Sequence, residues 1–178
     1  MSTTTIGPGK FIVTPAQRAL GYGEKLASDI DPAIFGALPV IDGQPVKASS
    51  PAFIYGHLAL YPAKILELMS VDNNAAKAPA GWEELFSAGV ECSNDPDGSK
   101  YPAKDEIVDH LVKSTKLVFE AVEAADAEDF GRETPIERYR QFMPTVGDVV
   151  NFMLNDHTMM HFGQVSFWRR CMGMGPAM

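Results

Sequence analysis

A chain of 178 residues with 46% apolar and 21% charged side chains is one ordinary globular domain, long enough to bury a real core. Its net charge of −8 repels a phosphate backbone, and its 15 Lys and Arg are scattered rather than gathered in a patch, so nucleic acid is excluded as a partner. No apolar run reaches the roughly 18 residues of a membrane span, and the opening MSTTTIGPGK has no apolar leader core, so no membrane contact and a cytoplasmic location are expected.

Four helical stretches follow, with no convincing run of strand alternation between them. The first, TPAQRALGYGEKLASDI, opens with Thr14 as N-cap and Pro15 in the first turn, and repeats apolar residues from Ala16 to Ile30. Gly21 and Gly23 weaken it by about 1 kcal/mol each relative to Ala. The second, SSPAFIYGHLALYPAKILELM, has the same entry in Ser50 and Pro51 and is apolar on most faces, which predicts burial on several sides. Pro62 inside it deprives the Leu58 carbonyl of its donor and predicts a kink one turn beyond His57.

The third helix, KYPAKDEIVDHLVKSTKLVFEAVEAA, carries one apolar stripe from Ile107 to Val122. The fourth starts at PTVGDVV, where Thr145 and Asp148 have capping-box spacing, and runs to about Cys171 before GMGP stops it. Long connections fill 31–49, 70–101 and 127–144, the middle one with a short helix at GWEELFSAG. The fold expected is all-α, a single four-helix bundle over residues 1–178 with long inter-helix loops. Cys92 and Cys171 are too few and too far apart for a disulfide framework or a CxxC site, and read as small buried or loop residues.

The chemistry is concentrated in NDHTMMHFGQ. At about 100° per residue, His161 lies roughly 40° from His157, and both fall inside the apolar stripe with Met153, Leu154 and Trp168. Gln164 falls on the same face, while Asp148, Asn155, Ser166 and Arg170 lie opposite. Imidazoles pointing into a core are costly unless their nitrogens find partners. His57 sits equally inward on the second helix, whereas His110 falls on the polar side of the third and reads as solvated.

An i, i+4 pair plus an imidazole from a facing helix can form a three-nitrogen face around a divalent cation, with one position open as in catalytic zinc sites. Nitrogen ligands suit nickel, iron and copper as well. Core histidines bonded to hydroxyls, carbonyls or water are the alternative. Around this group, Gln164 could orient a metal-bound water or a substrate, Asp156 could hold a ligand ring, and Lys64 and Tyr61 could meet a substrate carboxylate. The WRR at 168–170 reads as an outward basic pair near a helix C-terminus.

YGHLALYP followed about a hundred residues later by DHTMMHFGQVSFWRRCMGMGP resembles the DinB-like (YfiT-like) metal-binding bundle superfamily, over nearly the whole chain. The resemblance implies an up-down-down-up four-helix bundle and a homodimer. It implies a divalent metal, zinc or nickel first and iron also possible, on His57, His157 and His161, with Gln164 in the matching GQ position. It further implies a small-molecule substrate and a thiol-dependent transferase or isomerase using a low-molecular-weight thiol, or a metal-dependent hydrolase. A non-catalytic bundle that binds a metal or small molecule is the alternative.

Overall fold

The computed structural model describes residues 7–177; the opening stretch read above for a leader lies largely outside them. Helix α1 spans Pro8–Ser28, and so starts six residues before the expected cap. Pro8 takes the first-turn place assigned above to Pro15, which sits inside the helix. Pro15 is tolerated there because it is exposed, and the Phe11 carbonyl it leaves without a donor belongs to a residue turned outward.

A two-stranded hairpin follows, β1 at Val40–Ile41 and β2 at Gln44–Pro45, which sequence alternation did not reveal. Its turn is Asp42-Gly43, both at positive φ, the combination that an Asp-Gly pair favours. Helix α2 (Pro51–Ala59) is capped as expected, with the Ser50 hydroxyl accepting from the Phe53 amide. It gives way at Leu60 to α3 (Tyr61–Leu68), the predicted interruption at Pro62. The short helix of the middle loop is α4, Trp82–Phe86. Beyond it, the buried Asp95 carboxylate accepts from the amides of Ser99, Lys100 and Tyr101 and so pins the loop's return.

Helix α5 spans Lys104–Ala124. A short α6 (Ala127–Gly131), closed by an Asp126–Asp129 capping box, occupies what reads from sequence as connection only. The Thr145–Asp148 capping box forms as predicted and starts α7, Val146–Asn151. A π-helical segment, Phe152–His157, continues it without a break into α8, Thr158–Cys171.

Cross-bundle contacts fix the directions. Lys10 pairs with Glu123, and Lys104 donates to the Ile30 carbonyl, so α1 and α5 are antiparallel. Asn155 donates to the Ile12 carbonyl and Arg169 to that of Leu26, so α8 runs parallel to α1. Tyr61 meets His157 and Tyr55 meets Phe162, so α2 and α3 oppose α8. The order is up-down-down-up, with α1 and α2 diagonal and each packed on both α5 and α8. Since α2–α3 and α5 run the same way, the chain between them must return along the whole bundle, which accounts for the length of the 70–101 connection.

The core runs along the axis through Val13, Leu20, Ile54, Ile107, Val118 and Val165. Arg169 overturns the outward reading of WRR: it is buried, paired with Asp29 and donating to the Leu26 and Gly175 carbonyls, and only Arg170 is exposed. The C-terminal end of α1 supplies bare carbonyls and an acid there, which a planar guanidinium satisfies together. Among the described residues no helix is long and apolar enough to cross a membrane.

Candidate metal centre

His57 lies in α2, two turns beyond the Ser50 cap, and is 6% exposed. Its Nδ1 is 2.8 Å from the carbonyl oxygen of Phe86 in α4. A carbonyl only accepts, so Nδ1 carries the proton and the Nε2 lone pair faces away from it. His161, one turn into α8, has Nδ1 3.1 Å from Gln164 Oε1, which likewise leaves Nε2 as the free lone pair. His157, 8% exposed, places its Nε2 3.1 Å from that of His161. One ring nitrogen from each of the three histidines lies within 4.8 Å of those of the other two.

The π segment determines which residues face this group. Carried from the buried Val150 of α7 along an uninterrupted α-helix, Gln164 falls about 40° away and Phe162 about 120° away. Observed burial is the reverse: Phe162 and Val165 are buried and Gln164 is exposed. A π turn takes in roughly one extra residue and so rotates everything beyond it by about 100°. The α8 core face is thereby re-aimed onto Phe162, whose ring lies where a side chain on Gly23 of α1 would have to go. His161 is left at the edge of the buried face and Gln164 outside it, bonded to the imidazole rather than pointing inward.

Other sequence expectations separate cleanly. His110 is not simply solvated: it is half-buried, edge-on to Trp82 at 5.2 Å between ring centres. Asp156 is exposed and makes no bond to His157, whose Nδ1 is buried without a partner among the described residues. Lys64 pairs with Glu83 at 3.1 Å and lies over the Tyr61 ring, 5.6 Å from its centre. Tyr61 does border them, its ring centre 4.6 Å from that of His157 and 5.1 Å from that of His57. The Cys92 thiol accepts from the Ser50 amide at the start of α2, and the metal-competent cluster among the described residues contains histidine only.

Three inward lone pairs fit a divalent cation. A proton shared by two of the nitrogens would leave the third unsatisfied, whereas a cation satisfies all three. Zinc–nitrogen bonds of about 2.0–2.1 Å in tetrahedral geometry put neighbouring ligand nitrogens about 3.3 Å apart, close to the 3.1 Å seen for His157 and His161. Burial lowers the pKa of all three rings, and His157, also facing the other two, is brought down to about 4. The rings are therefore neutral at physiological pH, the form a metal requires.

A pH dependence follows. The unfolded chain protonates His157 near 6.5, the folded one only near 4, so between these values the unfolded state binds more protons. The stability that comes from keeping this ring neutral is complete above about pH 6.5 and is lost as pH falls through about 4. With chelator present, acidification from pH 7 to 4 is expected to cost on the order of 2 kcal/mol through this site after allowing for solvent screening. Urea midpoints at several pH values check it: the parent's slope should exceed that of His157→Ala, and equal slopes contradict it.

Comparison with protein families matches the model described as DinB superfamily to residues 22–165, a span that includes all three histidines and Gln164. No curated protein matches the chain.

Proposed function

The chain belongs to the DinB superfamily, and on that premise we propose that it is a metalloenzyme holding one divalent ion, zinc or nickel first and iron next, on His57, His157 and His161. The reaction class is thiol-dependent transfer or hydrolysis. The observation that carries this reading is the convergence of three neutral imidazoles, two of them with tautomers fixed by the Phe86 carbonyl and Gln164. Such an ion, when bound, lowers the pKa of a thiol or water beside it and so supplies a nucleophile near neutral pH.

The protein's own part is positional. The Phe86 carbonyl holds the His57 ring at a fixed angle, and Gln164 does the same for His161 at the solvent side. Three ligands, from α2, the π segment and α8, leave a fourth direction for a substrate atom. Tyr61 closes one side of the group with an aromatic ring that limits water.

Titrating the cobalt-loaded protein with a low-molecular-weight thiol tests the thiol form: a thiolate charge-transfer band should appear and saturate, and silence across a panel of thiols counts against it. Gln164→Ala should weaken metal binding about tenfold. Because Gln164 is exposed, the helical signal should stay unchanged; an unaltered affinity would show that Gln164 does not position His161. A second reading, a bundle whose metal has no catalytic role, draws on the absence of any carboxylate or thiol from the described cluster. In that case chelation lowers the melting temperature and no thiol or anion perturbs the metal.

A further inference from the structure

A cleft of about 110 Å³ opens between α3, the π segment and the 136–139 segment, separated from the histidines by one side chain, Tyr61. Its walls are apolar: Ile65 and Leu68 from α3, Ile136, and Met153 from the π segment. The Tyr61 ring, which lines the cleft, also packs edge-to-face with the His57 and His157 rings. Small-molecule sites combine such apolar walls with a few placed polar groups. Here the polar groups are Arg138 and the Tyr61 hydroxyl.

Arg138 makes no ion pair among the described residues. Its Nη2 donates to the Tyr139 hydroxyl at 3.1 Å and its guanidinium stacks 4.8 Å from that ring's centre, so it is held at the rim without being neutralised. The other cation at the mouth, Lys64, is matched by Glu83. The Tyr61 hydroxyl has no hydrogen-bond partner among the described residues and is free to donate to a ligand in the cleft. One planar, unpaired guanidinium fits one carboxylate through two parallel hydrogen bonds. With Lys64 matched by Glu83, Arg138 is the one cation among the described lining residues of the cleft that is left for an anion.

We infer that this cleft binds an organic monocarboxylate, its apolar body between Ile65, Leu68, Ile136 and Met153 and its carboxylate on Arg138, so that the body lies against the Tyr61 ring beside the metal centre. The substrate class is therefore an amphipathic carboxylic acid. This rests on the metalloenzyme reading for its chemistry but not for its binding.

The test is a methyl-resolved NMR titration of the full chain with 4-phenylbutyrate and with the uncharged 4-phenylbutan-1-ol, each in chelator and after metal loading. The acid should give saturable shifts at the Ile65, Leu68 and Ile136 methyls and bind at least tenfold more tightly than the alcohol. Arg138→Gln, at an exposed position, should lose that preference while keeping its metal content. Ile136→Trp, which fills the cleft, should abolish binding of both. Equal affinity for acid and alcohol in the parent, a preference that survives Arg138→Gln, or shifts confined to another part of the bundle would each overturn the inference. Acid binding that persists in chelator separates this result from the metal reading, which fails only if the parent takes up no metal.

Discussion

Purified without added metal or a metal-affinity column, the parent protein should contain about one equivalent of zinc, nickel or iron, and His157→Ala almost none. The His157 ring faces both others, 5.4 Å from His57 and 4.6 Å from His161 between ring centres, so its removal reduces a three-nitrogen face to a pair that spans α2 and α8. Losing a ligand should exceed the roughly 10- to 100-fold that loss of a supporting residue costs, placing the fall in affinity on the order of 1,000-fold or more. The fold should survive. In the metal-free parent His157 Nδ1 is buried without a partner among the described residues, a penalty of about 1–3 kcal/mol that the alanine removes. That gain offsets the small cavity, so the metal-free forms of the two proteins should melt within a few degrees of each other. Only the parent should gain stability when metal is added, since a ligand that binds the native state alone stabilises it by mass action. One full equivalent of metal retained by His157→Ala would remove this residue from the site.

What could be read from sequence divides along a physical line. Local grammar was legible: the Ser50–Pro51 entry, the break at Pro62, and the Thr145–Asp148 box are each set by a few neighbouring side chains and appear where expected. So were the three histidines, because imidazoles on an apolar stripe need a common explanation. The π segment was not legible, because no residue in FMLNDH forbids an ordinary α-turn; the extra residue is absorbed where α8 docks its Phe162 face on Gly23 of α1. Every angular assignment carried across that segment from the Val150 stripe inherits the rotation, which is why Gln164 reads as inward and is exposed. Arg169 was missed for a related reason: its partners, Asp29 and the Leu26 and Gly175 carbonyls, come together only in the folded bundle. The hairpin at 40–45 was too short for alternation to register, although Asp42-Gly43 marked its turn.

Gly56→Ala should damage the metal centre without touching a ligand. A Cβ at this position would lie 2.5 Å from three carbons of the Phe86 ring, well inside van der Waals contact. Phe86 is fully buried and has little room to retreat, with Trp82 and Tyr101 each 5.5 Å away between ring centres and Phe53 at 6.3 Å. Relief therefore requires α4 to move, and α4 carries the carbonyl that holds His57 Nδ1. Overpacking of this kind costs about 1–3 kcal/mol, which at about 2 kcal/mol lowers the melting temperature of a domain this size by roughly 4–8 °C. Freeing the His57 ring should weaken metal binding by about 100-fold, the upper end for a supporting contact. Gly21→Ala is the control: nothing lies within 4 Å of its added Cβ, so it should stabilise α1 by roughly 0.5–1 kcal/mol and leave metal affinity unchanged. The same chemical change thus has opposite signs at two helical glycines, and calorimetry beside metal titration reads both. If Gly56→Ala melts early but binds metal as the parent does, the Phe86 carbonyl is a packing contact and His57 is oriented by its own helix.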